Sequence, residues 1–262
     1  MPNAGADASP YDWMVWSEGE LEGALAGDLR RRDVLAYLGP VEFDTLAPLA
    51  RAAARAQRDP DNVVHLVPGI MGSQLGLLRN AGEPPDLLWV DPIDLQRGRF
   101  DELAVENGAV VSLGAVPYSY LGLKLRLEAA GFTVRWADYD WRQSVTTAGA
   151  RLAARIAAEP ARRQYIVGHS LGGLVARCAI AATDAAVDKV ITLGTPHHGS
   201  FAALQALRAS YITVRRIAQL DPRFTAESLV ERIFAHYASL YDMLPGPTDE
   251  LDLRNPSAWP AS

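Results

Sequence analysis

At 262 residues with 49% hydrophobic side chains, the chain has enough apolar mass for one large domain, or such a domain with a small appendage, around a substantial buried core. A formal net charge of −6 leaves no electropositive footprint for a phosphate backbone and excludes nucleic acid as an expected partner. The first residues, MPNAGADASPYDW, carry neither a basic nor an apolar leader pattern, and no apolar run is long enough to span a bilayer, so the expected location is cytoplasmic.

Residues 1–60 read as a helical N-terminal segment, distinct from residues 61–262. Residues 29–38 and 44–57 have helical patterning, separated by Gly39-Pro40, a stop signal followed by a residue that cannot continue a helix. Phe43, Leu46, Ala50, Ala53 and Ala54 mark an apolar stripe on the second helix. Pro48 fits there only in a first turn capped by Asp44 or Thr45. Arg51, Arg55 and Arg58 face the other way, as a solvated face that complements the helix dipole.

After the Asp59-Pro60-Asp61-Asn62 turn cluster, β-branched runs alternate with helical ones. Residues 63–67 read as a strand ending at Pro68-Gly69, residues 120–130 as a Leu-rich helix, and residues 132–136 as a second strand. A helix through Ala148, Leu152 and Ile156 stops at Pro160. A third strand (165–167), a helix (171–182) and a fourth strand (187–193) follow. Strands joined by helices of this length imply βαβ crossovers, hence an α/β fold with a mostly parallel sheet flanked by helices. The single cysteine, Cys178, allows no intrachain disulfide and is expected to pack on the helix after the third strand.

Gly168-His169-Ser170-Leu171-Gly172 matches G-x-S-x-G between that strand and that helix. A serine on such a turn projects its hydroxyl from the sheet edge, and glycines on either side let strand and helix approach closely. The helix N-terminus offers unpaired N–H groups to negative charge developing on a substrate oxygen. Ser170 is therefore the candidate nucleophile. A second oxyanion donor is expected after an earlier strand, where Pro68-Gly69-Ile70-Met71-Gly72 can present the Ile70 and Met71 N–H groups.

PGIMGSQL, DYDWR, GHSLGGLVAR, LGTPHHGS and SLYDMLP occur in the order in which the lecithin:cholesterol acyltransferase-like α/β-hydrolases and their bacterial lipase relatives carry equivalents, and LLWVDPIDL also resembles a segment of that family. The resemblance covers residues 62–245, and several motifs are shared with bacterial lipases and lipid-anchor deacylases. It implies an α/β-hydrolase domain over residues 61–262 with Ser170 as catalytic nucleophile. Ile70 and Leu171 N–H groups would form the oxyanion hole, with no metal or organic cofactor. The implied substrate is a lipid or other ester, hydrolysed or transferred through an acyl-serine. A lid-like loop over residues 74–90 would bring Leu75, Leu77, Leu78 and Trp89 to an acyl chain. Asp140 and Arg142 would be a buried structural pair and His169 a packing residue rather than a base, while His197 and His198 follow the fourth strand, where lipases often carry a histidine that supports the site, or serve as loop structure alone.

The triad's acid and histidine follow the nucleophile on later loops in this fold. Beyond Ser200 the pattern is mostly helical and then turn-rich, leaving His236 as the one downstream histidine, in a helical context unsuited to a base. The expectation is a sequence that resembles the front part of a longer hydrolase, with an exposed sheet edge and apolar surface through which it associates. The alternative is a catalytically incomplete α/β-hydrolase that serves as a lipid-binding or protein-interaction module.

Overall fold

The computed structural model describes residues 9–16, 19–27, 30–221 and 223–247; residues 1–8 and most of the turn-rich stretch, residues 248–262, lie outside them. The N-terminal part forms a short 3₁₀ turn, Pro10–Met14, then α1 (Glu20–Ala26), α2 (Arg31–Leu38) and α3 (Pro40–Arg55). Trp16, Leu25, Val34, Phe43 and Ala50 of this part share one apolar cluster with Leu121 and Leu125. The third helix departs from expectation. It starts at Pro40, whose fixed φ suits a first helical position, behind Gly39 at φ 79°. Pro48 therefore sits inside the helix, exposed, where water can take the carbonyl its missing N–H leaves free.

β1 (Asp59–Val67) is followed by β2 (Ser73–Leu77), β3 (Asp86–Trp89), α4 (Pro92–Gln96), a 3₁₀ turn (Arg99–Leu103) and β4 (Val111–Ala115). These three later strands pair antiparallel in the order β3-β2-β4. Residues 74–90 are thus not a lid-like loop but most of a small sheet. Gly76 explains why it is tight: a Cβ there would strike the Asp86 carbonyl oxygen. Asp91 caps α4 by accepting from the Ile93 and Asp94 N–H groups.

The remainder runs α5 (Pro117–Ala129), β5 (Phe132–Trp136), α6 (Val145–Ala158), β6 (Arg163–His169), α7 (Leu171–Ala181), β7 (Lys189–Leu193), α8 (Phe201–Leu207), α9 (Ile212–Leu220), α10 (Ala226–Arg232), a 3₁₀ turn (Phe234–His236) and α11 (Ala238–Asp242). β5, β1, β6 and β7 form a four-stranded parallel sheet in that order. Val64, Leu66 and Val134 pack with Tyr120 on the α5 face, while Val67, Ile166, Leu152 and Val175 join the larger cluster on the α6 and α7 face. Burial on both faces is what a parallel sheet requires. The fold is α/β, a mostly parallel central sheet flanked by helices, of α/β-hydrolase type.

α6 and α7 touch closely, because a Cβ at Gly149 would lie 2.5 Å from the Cys178 Cβ. Cys178 is half-buried and its thiol is pushed up, first by burial and then by Asp242. Among the described residues, β7 has no partner on its outer side. Ile191 and Leu193 on it are exposed. No helix among the described residues is long and apolar enough to cross a membrane.

Candidate active site

Ser170 links the C-terminal end of β6 directly to α7. Its backbone stands at φ 51°, ψ −122°, a combination that an L-residue adopts only under constraint. The constraint is visible: the Ser170 N–H donates to the Leu193 carbonyl at 2.8 Å, and the Ser170 carbonyl accepts from Gly173 at 3.1 Å. On either side no side chain fits. A Cβ at Gly168 would lie 2.7 Å from Gly173 Cα, and one at Gly172 would strike the Val67 and Pro68 carbonyl oxygens.

The loop after β1 lies against this turn. A Cβ at Gly69 would sit 3.0 Å from Ser170 Cβ and 3.1 Å from His169 Nδ1. Residues 69–72 close a β-turn in which Gly72 N–H donates to the Gly69 carbonyl at 3.0 Å, with Met71 at φ 59°. Aromatic side chains fix the rest of the loop. Tyr139 Oη donates to the Pro68 carbonyl, Trp89 Nε1 to the Met71 carbonyl and Trp141 Nε1 to the Ser73 carbonyl, at 2.9, 2.9 and 3.0 Å. Tyr120 Oη accepts from Gly69 N–H at 2.9 Å and pairs with His169 Nδ1 at 2.9 Å. Burial raises the Tyr120 phenol, so it remains neutral.

With the loop's carbonyl oxygens engaged in this way, its other donors are left over. The Ile70 and Met71 N–H groups make no hydrogen bond among the described residues, nor does that of Leu171, the first residue of α7. Ser170, Ile70 and Met71 line one cavity of about 160 Å³. Its remaining walls are mostly apolar and come from the loop after β7 (Gly194, Pro196, Ser200), from α8, α9 and the preceding Tyr211, and from Phe234, Leu240 and Met243. Leu75, Leu77, Leu78 and Trp89 do not line it. Sequence reasoning missed these walls, and the only signal for them was the helical pattern beyond Ser200.

The five motifs read from the sequence meet around this cavity. DYDWR holds PGIMGS through Tyr139 and Trp141. GHSLGG meets PGIMGS at Gly172 and LGTPHHGS where Gly173 abuts Thr195. LGTPHHGS meets SLYDMLP where Ser200 N–H donates to the Met243 carbonyl at 2.7 Å and Gly199 abuts Pro245. SLYDMLP returns to DYDWR through Ser239 Oγ, which donates to the Trp141 carbonyl at 2.6 Å. Asp140 is not in the cavity: it takes Arg142 Nε and Nη2 at 2.9 Å each, and Arg142 is 1% exposed. Arg142 also donates to the Leu103 and Ala104 carbonyls, as a buried structural pair would.

The sequence contains five histidines, and none of them hydrogen-bonds Ser170 Oγ. His65 is buried with Nε2 2.8 Å from Gln164 Oε1, and burial lowers its pKa. His169 is tied to Tyr120, and His197 contacts Arg177 and Thr192 at 3.2 Å each. His198 and His236 are exposed and do not line the cavity. Among the described residues, no group of three or more His, Cys, Asp or Glu side chains gathers in a way that could hold a metal ion.

Comparison with known proteins gives a coarse kinship. A family model described as a PGAP1-like alpha/beta domain matches residues 154–223, which run from within α6 through the Ser170 turn to just beyond α9. The solved structure of the Tle4-Tli4 complex resembles the chain with a TM-score of 0.47 and 17% identity, over 70% of this chain and 54% of that one. The chain thus spans about half the length of that structure.

Proposed function

We propose that the protein is a serine-nucleophile ester hydrolase or O-acyltransferase that acts on lipid or other ester substrates through an acyl-serine at Ser170. The reading is supported above all by one juxtaposition: a strained serine and the unpaired Ile70 and Met71 N–H groups of the loop after β1 border the same mostly apolar cavity. In the proposed reaction Ser170 Oγ bonds to the ester carbonyl carbon, and the oxygen that becomes negative is held by the Ile70 and Leu171 N–H groups. Ser170 passes its proton to a base from solution as it attacks; collapse expels the alkoxide, which takes that proton back and departs as the alcohol, and water or a second alcohol then takes the acyl group by the same steps. No metal or organic cofactor is needed in this scheme. Such donors act on charge that exists only in the transition state, so binding and oxyanion stabilisation alone retain about 10³ to 10⁴ over the uncatalysed rate.

The serine's proton must go to a base, and no histidine of the sequence is bonded to it. That observation favours a second reading, a catalytically incomplete α/β-hydrolase that binds lipid or a protein partner through this surface. Intact-mass spectrometry after exposure to an alkyl fluorophosphonate separates the two. We expect one adduct, mapped to the peptide containing Ser170, absent from Ser170→Ala, and formed faster when imidazole is added as an external base. A protein that stays unmodified with imidazole present overturns the nucleophile assignment and leaves the binding module.

A further inference from the structure

From the cavity's size and walls we infer that the site accepts a short straight acyl group, about four to six carbons long, and that Ala206 and Met243 set this limit. The inference deepens the proposed ester chemistry and rests on it for the meaning of the pocket, though not for the pocket's ability to bind.

The cavity measures about 160 Å³. An apolar cavity of about 150 Å³ is just sufficient for a six-carbon ring such as benzene. A chain of sixteen or eighteen carbons, the length expected of a membrane lipid, has no place inside it. The apolar lining includes Ala203 and Ala206 on one face of α8, Val214 from α9, Phe234 from the 3₁₀ turn, and Leu240 and Met243 at α11. All six are less than 9% exposed, so they form packed walls. The two alanines are the smallest of them, so any larger side chain at either position projects into the space the acyl group needs. Met243 is flexible by nature, but its carbonyl is held by Ser200 N–H, which keeps the side chain's root in place. The unpaired Ile70 N–H, one of the two proposed oxyanion donors, stands in the loop that lines the same cavity as Ser170, so an ester carbonyl held there has these walls as the adjacent apolar surface for its alkyl tail.

The test uses straight 2-alkanones of increasing length, whose carbonyl and tail imitate the acyl half of an ester, with dissociation constants measured by ligand-observed NMR. Each added methylene should tighten binding about fourfold until the acyl part reaches about six carbons, after which affinity stops rising. Ala206→Leu should shorten that cut-off by about two to three carbons, and Met243→Ala should lengthen it by a similar amount. Thermal melts of both variants check that they fold. Affinity that keeps rising to twelve carbons, a cut-off unmoved by both substitutions, or no binding of any ketone overturns the inference. The series is repeated on Ser170→Ala, where the same cut-off is expected. A sharp cut-off without any Ser170 adduct would remove the catalytic proposal and keep this one, whereas an adduct without a cut-off would do the reverse.

Discussion

Single side chains decide how well the Ser170 region is held. Tyr120 Oη satisfies the buried Gly69 N–H and at the same time restrains the His169 ring next to Ser170. Tyr120→Phe leaves that N–H without a partner, at a cost of about 1 to 2 kcal/mol in stability. Adduct formation at Ser170 is expected to slow by about tenfold or more, while ketone affinity changes little; an unchanged adduct rate would show that the loop keeps its place without the phenol. A different residue controls pH response. Asp94 is buried beside Asp91, and burial pushes its carboxyl up to about 6 although Arg99 opposes the shift. The folded state then holds this proton more tightly than the unfolded one, so the group's contribution worsens as pH rises from about 4 to 6 and is constant above. Relative to the parent, Asp94→Asn is expected to become more favourable as pH rises from 4 to 7, whatever the fixed cost of losing the Arg97 and Arg99 ion pairs, read from urea unfolding at both values. No change in the gap would remove Asp94 as the source.

Elements differ in how far their role could be read from the sequence. The β6-turn-α7 unit was legible because its demands fall on few residues: a β-branched run, glycines where backbones touch, and a helical pattern after them. Gly172→Ala tests that reading, since its Cβ would strike two carbonyl oxygens of β1 and the loop after it. Backbone cannot give as a flexible side chain can, so a loss of about 3 kcal/mol or outright failure to fold is expected in chemical denaturation. β2, β3 and β4 were illegible because they are short and one of them needs a glycine for close approach rather than for a bend. A glycine inside a five-residue run ordinarily reads as a loop. The start of α3 lies earlier than Pro48 suggests, because an exposed proline in a helix flanked by packed turns is tolerated. The cavity walls on α8, α9 and α11 could be recognised as helices but not as neighbours of Ser170. Their approach depends on the backbone bonds from Ser200 and on Ser239, which periodicity does not encode.

Across the whole molecule, the parallel sheet is covered on both faces over β1 and β6 and left open at β7. Its outer side is unpaired among the described residues, and Ile191 and Leu193 are 44% and 40% exposed there. An apolar edge of this kind is a template for pairing between chains. The association expected from the sequence is therefore predicted to be concentration-dependent, visible by light scattering, and reduced by Ile191→Lys, which places a charge on the edge without touching the cavity. A monodisperse monomer for the parent protein over the accessible concentration range would contradict it.

The aromatic clasp on residues 68–73 gives the loop an optical signature. Trp89 donates its indole N–H to the carbonyl of Met71, one of the residues lining the cavity. An occupant that draws on the neighbouring Ile70 and Met71 N–H groups changes the polarity around the indole, and indole emission responds to such changes in wavelength as well as intensity. The protein carries six tryptophans, and Trp89→Phe isolates this one by difference. A ligand's arrival at the loop can thus be followed in real time without a label, in the same molecule whose chemistry is being measured.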